Sequence, residues 1–188
     1  MKKHPSQKKR TARRGLWVLV LLALLVLSGY NFLPSQSLRR IETTIAIPPT
    51  HVLATERVGG QFRYLSVNEN VLLYSAHQFS PFEGWISYDL SPIPLAEGSP
   101  VCAHGVREEG RRSQIFGVVT QKEAVTVQIY RSDMLAARRT SILRAEDGTR
   151  YFWLRWEEDD GVYPTLLLLD ENENILGRYD LLWDLIQH

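Results

Sequence analysis

Apolar residues follow two regimes along this chain. From Leu16 to Leu27 they run unbroken, LWVLVLLALLVL, behind seven Lys or Arg between Lys2 and Arg14 with no acid among them. Beyond Pro49 they come instead in short runs, alternating or β-branched, separated by clusters of Gly, Pro, Asn, Asp and Ser. The first regime predicts a helix in lipid; the second predicts β-strands.

As a helix, Leu16 to Leu27 would be only about 18 Å long, which suits the core of a signal peptide. Continued through Ser28, Gly29, Tyr30 and Asn31 to Leu33 it would reach about 27 Å, close to a hydrocarbon layer of roughly 30 Å. Trp17 and Tyr30 would then sit near the two interfaces, where amphipathic rings are favoured. Two readings stay open. One is a signal-anchor over 16–33; the other is a cleaved signal, with Val26 and Ser28 as the small residues before a cut at Gly29. Tyr30 stands where a lipoprotein needs its cysteine. The basic tail, 1–15, belongs on the cytoplasmic side and the rest of the chain outside.

Residues 34–50 read as a polar stalk closing on Pro48-Pro49. From His51 the punctuation marks out strands. His51 to Val58 meets Gly59-Gly60, a hairpin signal, and Gln61 to Val67 follows with Phe62, Tyr64 and Ser66 on one face. Val71 to Phe79 and Trp85 to Leu90 flank the turn Ser80-Pro81-Phe82-Glu83-Gly84. Ser91 to Pro100 holds three prolines and reads as an irregular connection, with a sub-boundary near 91–112. Val101 to Val106 is a further strand. Ser113 to Thr120 and Ala124 to Tyr130 read as a hairpin, and Ser132 to Arg139 as an irregular crossover or short helix. Tyr151 to Trp156, Tyr163 to Leu169 and Ile175 to Tyr179 complete the strands, and Leu181 to His188 suggests a helical cap. The predicted fold is mainly β: a single N-terminal transmembrane helix followed by an antiparallel β-sandwich-like ectodomain over 51–188.

Charge sharpens the division. The whole chain is formally +1, but from residue 34 onward it carries 15 basic and 21 acidic side chains, a charge of −6. Membrane lipid is the expected partner of residues 16–33 and the basic tail, and an acidic outer part argues against nucleic acid. Cys102 is the single cysteine, so no internal disulfide can form and the domain must rest on its own core.

Motifs for catalysis are missing. There is no GxSxG, HExxH, Gly-rich phosphate loop or CxxC pair. Asp170-x-Asn172-x-Asn174 imitates the start of a calcium loop, but Ile175 replaces the sharp-turn glycine and Leu181 the bidentate glutamate, so a solvated hairpin is expected. Glu157 to Asp160 reads as a charged loop tip. Cys102 and His104 share one face of a strand and are expected to pack side by side. No cofactor, metal or catalytic residue is assigned. The aromatic residues Phe79, Phe82, Trp85 and Tyr88 crowd one turn and strand; Phe152, Trp153 and Trp156 crowd another. Alternation puts Trp153 opposite to Phe152 and Trp156, so that strand either shows a large ring to solvent or has a second layer packed on it. Trp85, Trp153 and Trp156 are the candidate partner surface.

The run Val52-Leu53-Ala54-Thr55-Glu56-Arg57-Val58, the Gly84-Trp85 strand, Ile115-Phe116-Gly117-Val118-Val119 and the closing hairpin from Leu167 to Leu176 resemble a loose group of membrane- or lipid-anchored extracytoplasmic β-domain proteins of Gram-positive bacteria. The likeness spans most of 51–180. It implies an exported β-rich domain and carries no activity. Two functions are weighed: a non-enzymatic module binding an envelope protein or peptide, and an envelope enzyme of the cell-wall hydrolase kind acting through carboxylates such as Glu83 or Asp89.

Overall fold

The computed structural model describes residues 7–95, 98–108, 112–130, 137–157, 165–180 and 182–184. Helix α1 (Gln7–Leu27) carries the apolar run. Its side chains from Leu16 to Leu24, and again at Val26 and Leu27, are exposed on all sides, so the rest of the fold covers little of it. The helix stops at Leu27, which corrects the expectation of one apolar helix over 16–33. Gly29 sits at φ +78°, in the left-handed region where glycine ends helices. Leu33 is extended, at φ −124° and ψ 146°, as the residue before a proline prefers. Only twelve residues of α1 are continuously apolar, and its first turns are basic. Among the described residues no helix is long and apolar enough to cross a membrane.

The expected stalk is instead a second helix, α2 (Pro34–Thr44), packed on the β domain. Pro34 opens it at a position where no backbone N–H is needed. The Gln36 side-chain oxygen accepts from the N–H groups of Phe32 (2.8 Å) and Leu33 (3.2 Å). Leu38, Ile41 and Ile45 recur at helical spacing and form the inward stripe, and Leu38 is fully buried. A stripe of three apolar residues in a polar segment is easily read as a stalk.

Beyond α2 the chain forms three sheets. The first is an antiparallel meander of β1 (His51–Val58), β2 (Gln61–Val67), β3 (Val71–Ser80) and β4 (Gly84–Pro94), in that spatial order. The predicted Gly59-Gly60 hairpin forms, both glycines at positive φ. The fourth strand continues to Pro94 through a stretch expected to be irregular. Because β4 is the edge of its sheet, Pro92 and Pro94 cost it no ladder bond to a further neighbour.

Strands β5 (Val101–Glu108), β6 (Arg112–Val119), β9 (Leu143–Arg144), β10 (Arg150–Glu157) and β13 (Leu182–Asp184) form the second sheet, ordered β13-β5-β6-β10-β9. The third contains β7 (Thr126–Tyr130), β8 (Ala137–Ser141), β11 (Thr165–Leu169) and β12 (Ile175–Asp180), ordered β12-β11-β7-β8. Pairing is antiparallel except between β13 and β5, where Leu182 to Asp184 run parallel to His104 to Val106. That strand replaces the expected helical cap; residues 181 and 185–188 lie outside the described residues. The expected hairpin of β6 with β7 does not form either. The chain passes from the second sheet to the third between them, held by Arg150, whose guanidinium donates to the carbonyls of Gln121 (2.6 Å) and Ala124. Of the expected crossover, residues 132–136 lie outside the described residues, and the rest begins β8.

The second sheet is the middle layer, buried on both faces. On one side Val106, Phe116 and Tyr151 meet Leu65, Val67, Leu72 and Tyr74 of the first sheet. On the other, Ile115, Val119 and Phe152 meet Val127, Ile129, Leu166 and Leu168 of the third. Strands β5, β6 and β10 of the middle sheet therefore need apolar residues on both faces. That explains the mixed patterning of Ile115-Phe116 and of Tyr151 to Leu154. Gly117 lets the Phe152 ring approach its strand closely, since a Cβ there would come within 2.7 Å of the ring and 2.5 Å of the Cys102 carbonyl oxygen. The core between the first and second sheets draws on both sides of 91–112, so no boundary separates the chain there. The order of layers is α2, first sheet, second sheet, third sheet.

Candidate functional site

The three candidate tryptophans have different fates. Trp153 lies between the first and second sheets. Its ring meets Tyr74 edge-on at 6.0 Å, and its Nε1 donates to Gln114 Oε1 at 2.9 Å. Trp153 thus packs, partly buried, against the core between these sheets, and the second packed layer required by alternation is the first sheet. The side chain of Trp156 lies outside the described residues. Trp85 lies near the surface, half-buried, with Phe62 edge-on at 5.1 Å and Phe79 at 5.8 Å.

Around Trp85 the chain builds an aromatic edge. The β3–β4 hairpin tip presents Phe82, 90% exposed, and Phe79, 54% exposed. Beside it the α1–α2 connection adds Tyr30, Phe32 and Leu33, with the Tyr30 and Phe32 rings 4.9 Å apart. One residue joins the two. The Asn31 N–H donates to the Glu83 carbonyl (3.1 Å), the Trp85 N–H donates to the Asn31 carbonyl (2.8 Å), and Asn31 Nδ2 donates to the Trp85 carbonyl (2.8 Å). Gly84 makes this approach possible, because a Cβ there would lie 2.1 Å from the Asn31 carbonyl oxygen. Arg57 places its guanidinium 5.5 Å from the Phe62 ring centre, a cation over a ring face, at the same end of the sheet. Sequence reasoning found Trp85 and Phe82 but not Asn31, because nothing local marks a pairing between residues so far apart in the chain.

A groove of about 200 Å³ runs next to this edge, between α2 and β4, lined by Asn31, Ser37, Arg40, Thr44, Glu83 and Ser87, among others. Under it lies a polar cluster that sequence reasoning passed over. His77 is fully buried, with Nδ1 2.9 Å from Ser37 Oγ and Nε2 2.9 Å from Ser75 Oγ. Burial pushes the imidazole down to about 4, so at neutral pH it is uncharged: one serine donates to its bare nitrogen and the other accepts from its N–H. Ser75 and His77, two apart on a strand facing α2, were the available signal. Both imidazole nitrogens are thus taken up by serine hydroxyls, and the cluster joins α2 to the first sheet. At the other end of α2, buried Glu42 accepts from the Thr50 N–H (2.9 Å), the Thr50 hydroxyl (2.5 Å) and Arg39 Nη1 (2.8 Å).

The carboxylates proposed for hydrolysis stand apart. Glu83 is exposed in the turn and Asp89 buried on β4. They lie six steps of chain apart, roughly 20 Å at the usual rise per residue. Asp170 does not face solvent with free oxygens. It accepts from the N–H groups of Asn172 (2.9 Å) and Asn174 (2.8 Å) and from Asn174 Nδ2 (2.9 Å), closing the β11–β12 hairpin and holding its own carboxyl below the usual range. Cys102 and His104 do share a face of β5, turned toward the first sheet. The Cys102 thiol is in no disulfide, is partly buried, and donates to the Pro94 carbonyl at 3.7 Å. Of the acidic run, residues 158–160 lie outside the described residues, as does the side chain of Glu157.

No family model, no curated protein and no solved structure matches this chain. The reading of the site therefore rests on its own geometry.

Proposed function

We propose that this protein is a membrane-anchored extracytoplasmic β module that binds an envelope protein or peptide and performs no catalysis. The observation that carries the anchoring is α1: an apolar helix behind a basic tail, left uncovered by a fold that gathers most of its other large apolar groups into three core clusters. Exposed on every side, such a helix has lipid as its favourable surroundings. Its apolar length of about 18 Å is short for a bilayer, a mismatch that local thinning of the lipid takes up.

The binding half of the proposal is supported by the groove between α2 and β4 and by half-buried Trp85 beside it. The spacing of Glu83 and Asp89 favours this reading over glycoside hydrolysis, which needs two carboxyl groups about 5 to 10 Å apart. Loose resemblance to anchored extracytoplasmic β domains points the same way.

Protease treatment of intact cells expressing the chain with a C-terminal tag tests the reading. We expect a full-length tagged band in the membrane fraction that external protease removes. A shortened band in the medium would mean that the helix is a cleaved signal, and a protected full-length band would place the domain on the inner side.

A further inference from the structure

The same aromatic edge has a use that does not involve a protein partner. We propose that the β3–β4 hairpin tip and the α1–α2 connection, through Phe79, Phe82, Phe32 and Leu33, dock into the headgroup region of the bilayer and set the domain down on the membrane in a fixed orientation. This rests on the reading of α1 as a helix in lipid.

Four observations carry it. The first is distance. Only three residues lie between the end of α1 at Leu27 and Asn31, four steps of chain that span at most about 14 Å. Asn31 is in turn bonded on both sides of Gly84 in the hairpin. The tip therefore cannot leave the neighbourhood of the point where α1 ends. The second is exposure: Phe82, Phe79, Phe32 and Leu33 are all exposed large apolar residues gathered at one end of the domain, whereas the others exposed on it among the described residues, Val52, Leu143 and Ile175, stand on three different strands. Single exposed rings need no explanation, but a group of them around the exit of an apolar helix does.

The third is type. Aromatic rings, with aliphatic neighbours, are the side chains that the membrane interface favours. Arg57 over the Phe62 ring and Arg40, whose Nη1 donates to the Gly29 carbonyl at 2.6 Å, set basic groups beside them where anionic headgroups would lie. The fourth is length. The apolar part of α1 falls short of the hydrocarbon thickness, so the membrane surface is drawn toward the segment just beyond Leu27, and that segment belongs to this edge.

A lipid surface explains this arrangement better than a protein partner. Docking needs no complementary pocket, and the tether alone keeps the edge at high effective concentration next to the bilayer. Gly84 also gains a role: by admitting Asn31, it ties the hairpin to the helix exit.

Depth-dependent fluorescence quenching on the full chain tests this, in vesicles of phosphatidylethanolamine and phosphatidylglycerol containing nitroxide-labelled lipid. With Cys102→Ser as background, an environment-sensitive probe is attached in turn at Pro81→Cys in the hairpin tip, Leu22→Cys in α1 and Asn172→Cys in the distant β11–β12 turn. The expected result is strong quenching at Leu22, quenching several-fold above the Asn172 control at Pro81, and return of the Pro81 probe to the control level when Phe79→Ser and Phe82→Ser are added. If the Pro81 probe matches Asn172 while Leu22 is quenched, the helix is in the membrane but the edge is not, and the docking proposal falls alone. If quenching at Pro81 survives loss of both rings, the rings do not dock. If Leu22 is unquenched, both the docking and the anchoring readings fall.

Discussion

His77 shows how a residue with no sequence signature can control behaviour. Its imidazole is neutral in the fold because burial holds its value at about 4, whereas in the unfolded chain it titrates near the ordinary value of about 6.5. Above that ordinary value neither state binds the proton, and its contribution to stability is complete. As pH falls from about 6.5 to about 4, the unfolded chain takes up a proton that the fold refuses, and stability declines by on the order of 3 kcal/mol. Urea unfolding at a series of pH values should show this decline, and His77→Gln should flatten it over the same window. A flat profile for the unsubstituted chain between about pH 7 and pH 4.5 would contradict the buried neutral imidazole. The Asp147 and Asp170 carboxyls, held below their ordinary value chiefly by side-chain hydrogen bonds from Thr149 and Asn174, lose their contribution as pH falls below about 5, so the decline between about pH 6.5 and pH 5 belongs to neither of them.

At the scale of elements, α2 is the least expected piece. Its sequence, PSQSLRRIETT, has only Leu38 and Ile41 as large apolar residues, and isolated helices of this length are marginal in water. Docking stabilises it: Leu38 on Tyr64 and Leu73 in the middle, Ser37 on His77 near its start, and Glu42 on Thr50 near its end. The Glu42 clip is a capture of the following strand as much as of the helix, since Thr50 immediately precedes β1. Glu42→Ala leaves the buried Thr50 N–H and hydroxyl without their acceptor and should cost about 1–3 kcal/mol, measured as a lowered urea midpoint with an unchanged slope. An unchanged midpoint would mean that the clip adds nothing to the docked helix. The strands are more legible, because alternation and turn residues are local. β1, β2, β3 and the β11–β12 hairpin fall where those signals put them. The separation of β6 from β7 is not legible, because a short connection between two strands looks the same whether they share a sheet or belong to facing ones. Arg150, distant in sequence, holds the crossing in place.

For the whole molecule, the decisive feature is a middle sheet buried on both faces. It packs Trp153 against the core, partly buried, where alternation alone allowed a solvent-facing ring, and it leaves Trp85 as the surface tryptophan of the first sheet. Trp153→Ala should therefore cost about 1.5–3 kcal/mol, seen as a lower thermal midpoint in a single cooperative transition. An unaffected midpoint would place the ring outside the core. His51 adds an exposed tie between layers, its Nε2 2.7 Å from Asp147 Oδ2 across the first and second sheets. With α2 on one side of the layered stack and the third sheet on the other, most of the large apolar side chains still exposed among the described residues lie on α1 and at the aromatic edge next to it.

What the sequence by itself determined was local: an apolar run behind a basic tail, strands of about the right extent, the Gly59-Gly60 hairpin, the Asp170 turn, and a single thiol with no disulfide partner. Each arises from side-chain periodicity or from the dihedral needs of a few neighbouring residues. Tertiary structure alone decided which strands share a sheet, that the middle sheet has two covered faces, that residues 34–44 fold back as a helix, and that α1 ends at Leu27. These depend on contacts between residues far apart in the chain. Asn31 meeting Gly84, Ser37 meeting His77 and Arg150 meeting Gln121 are favourable only once the layers have assembled, and no pattern in the neighbourhood of any of them announces the partner.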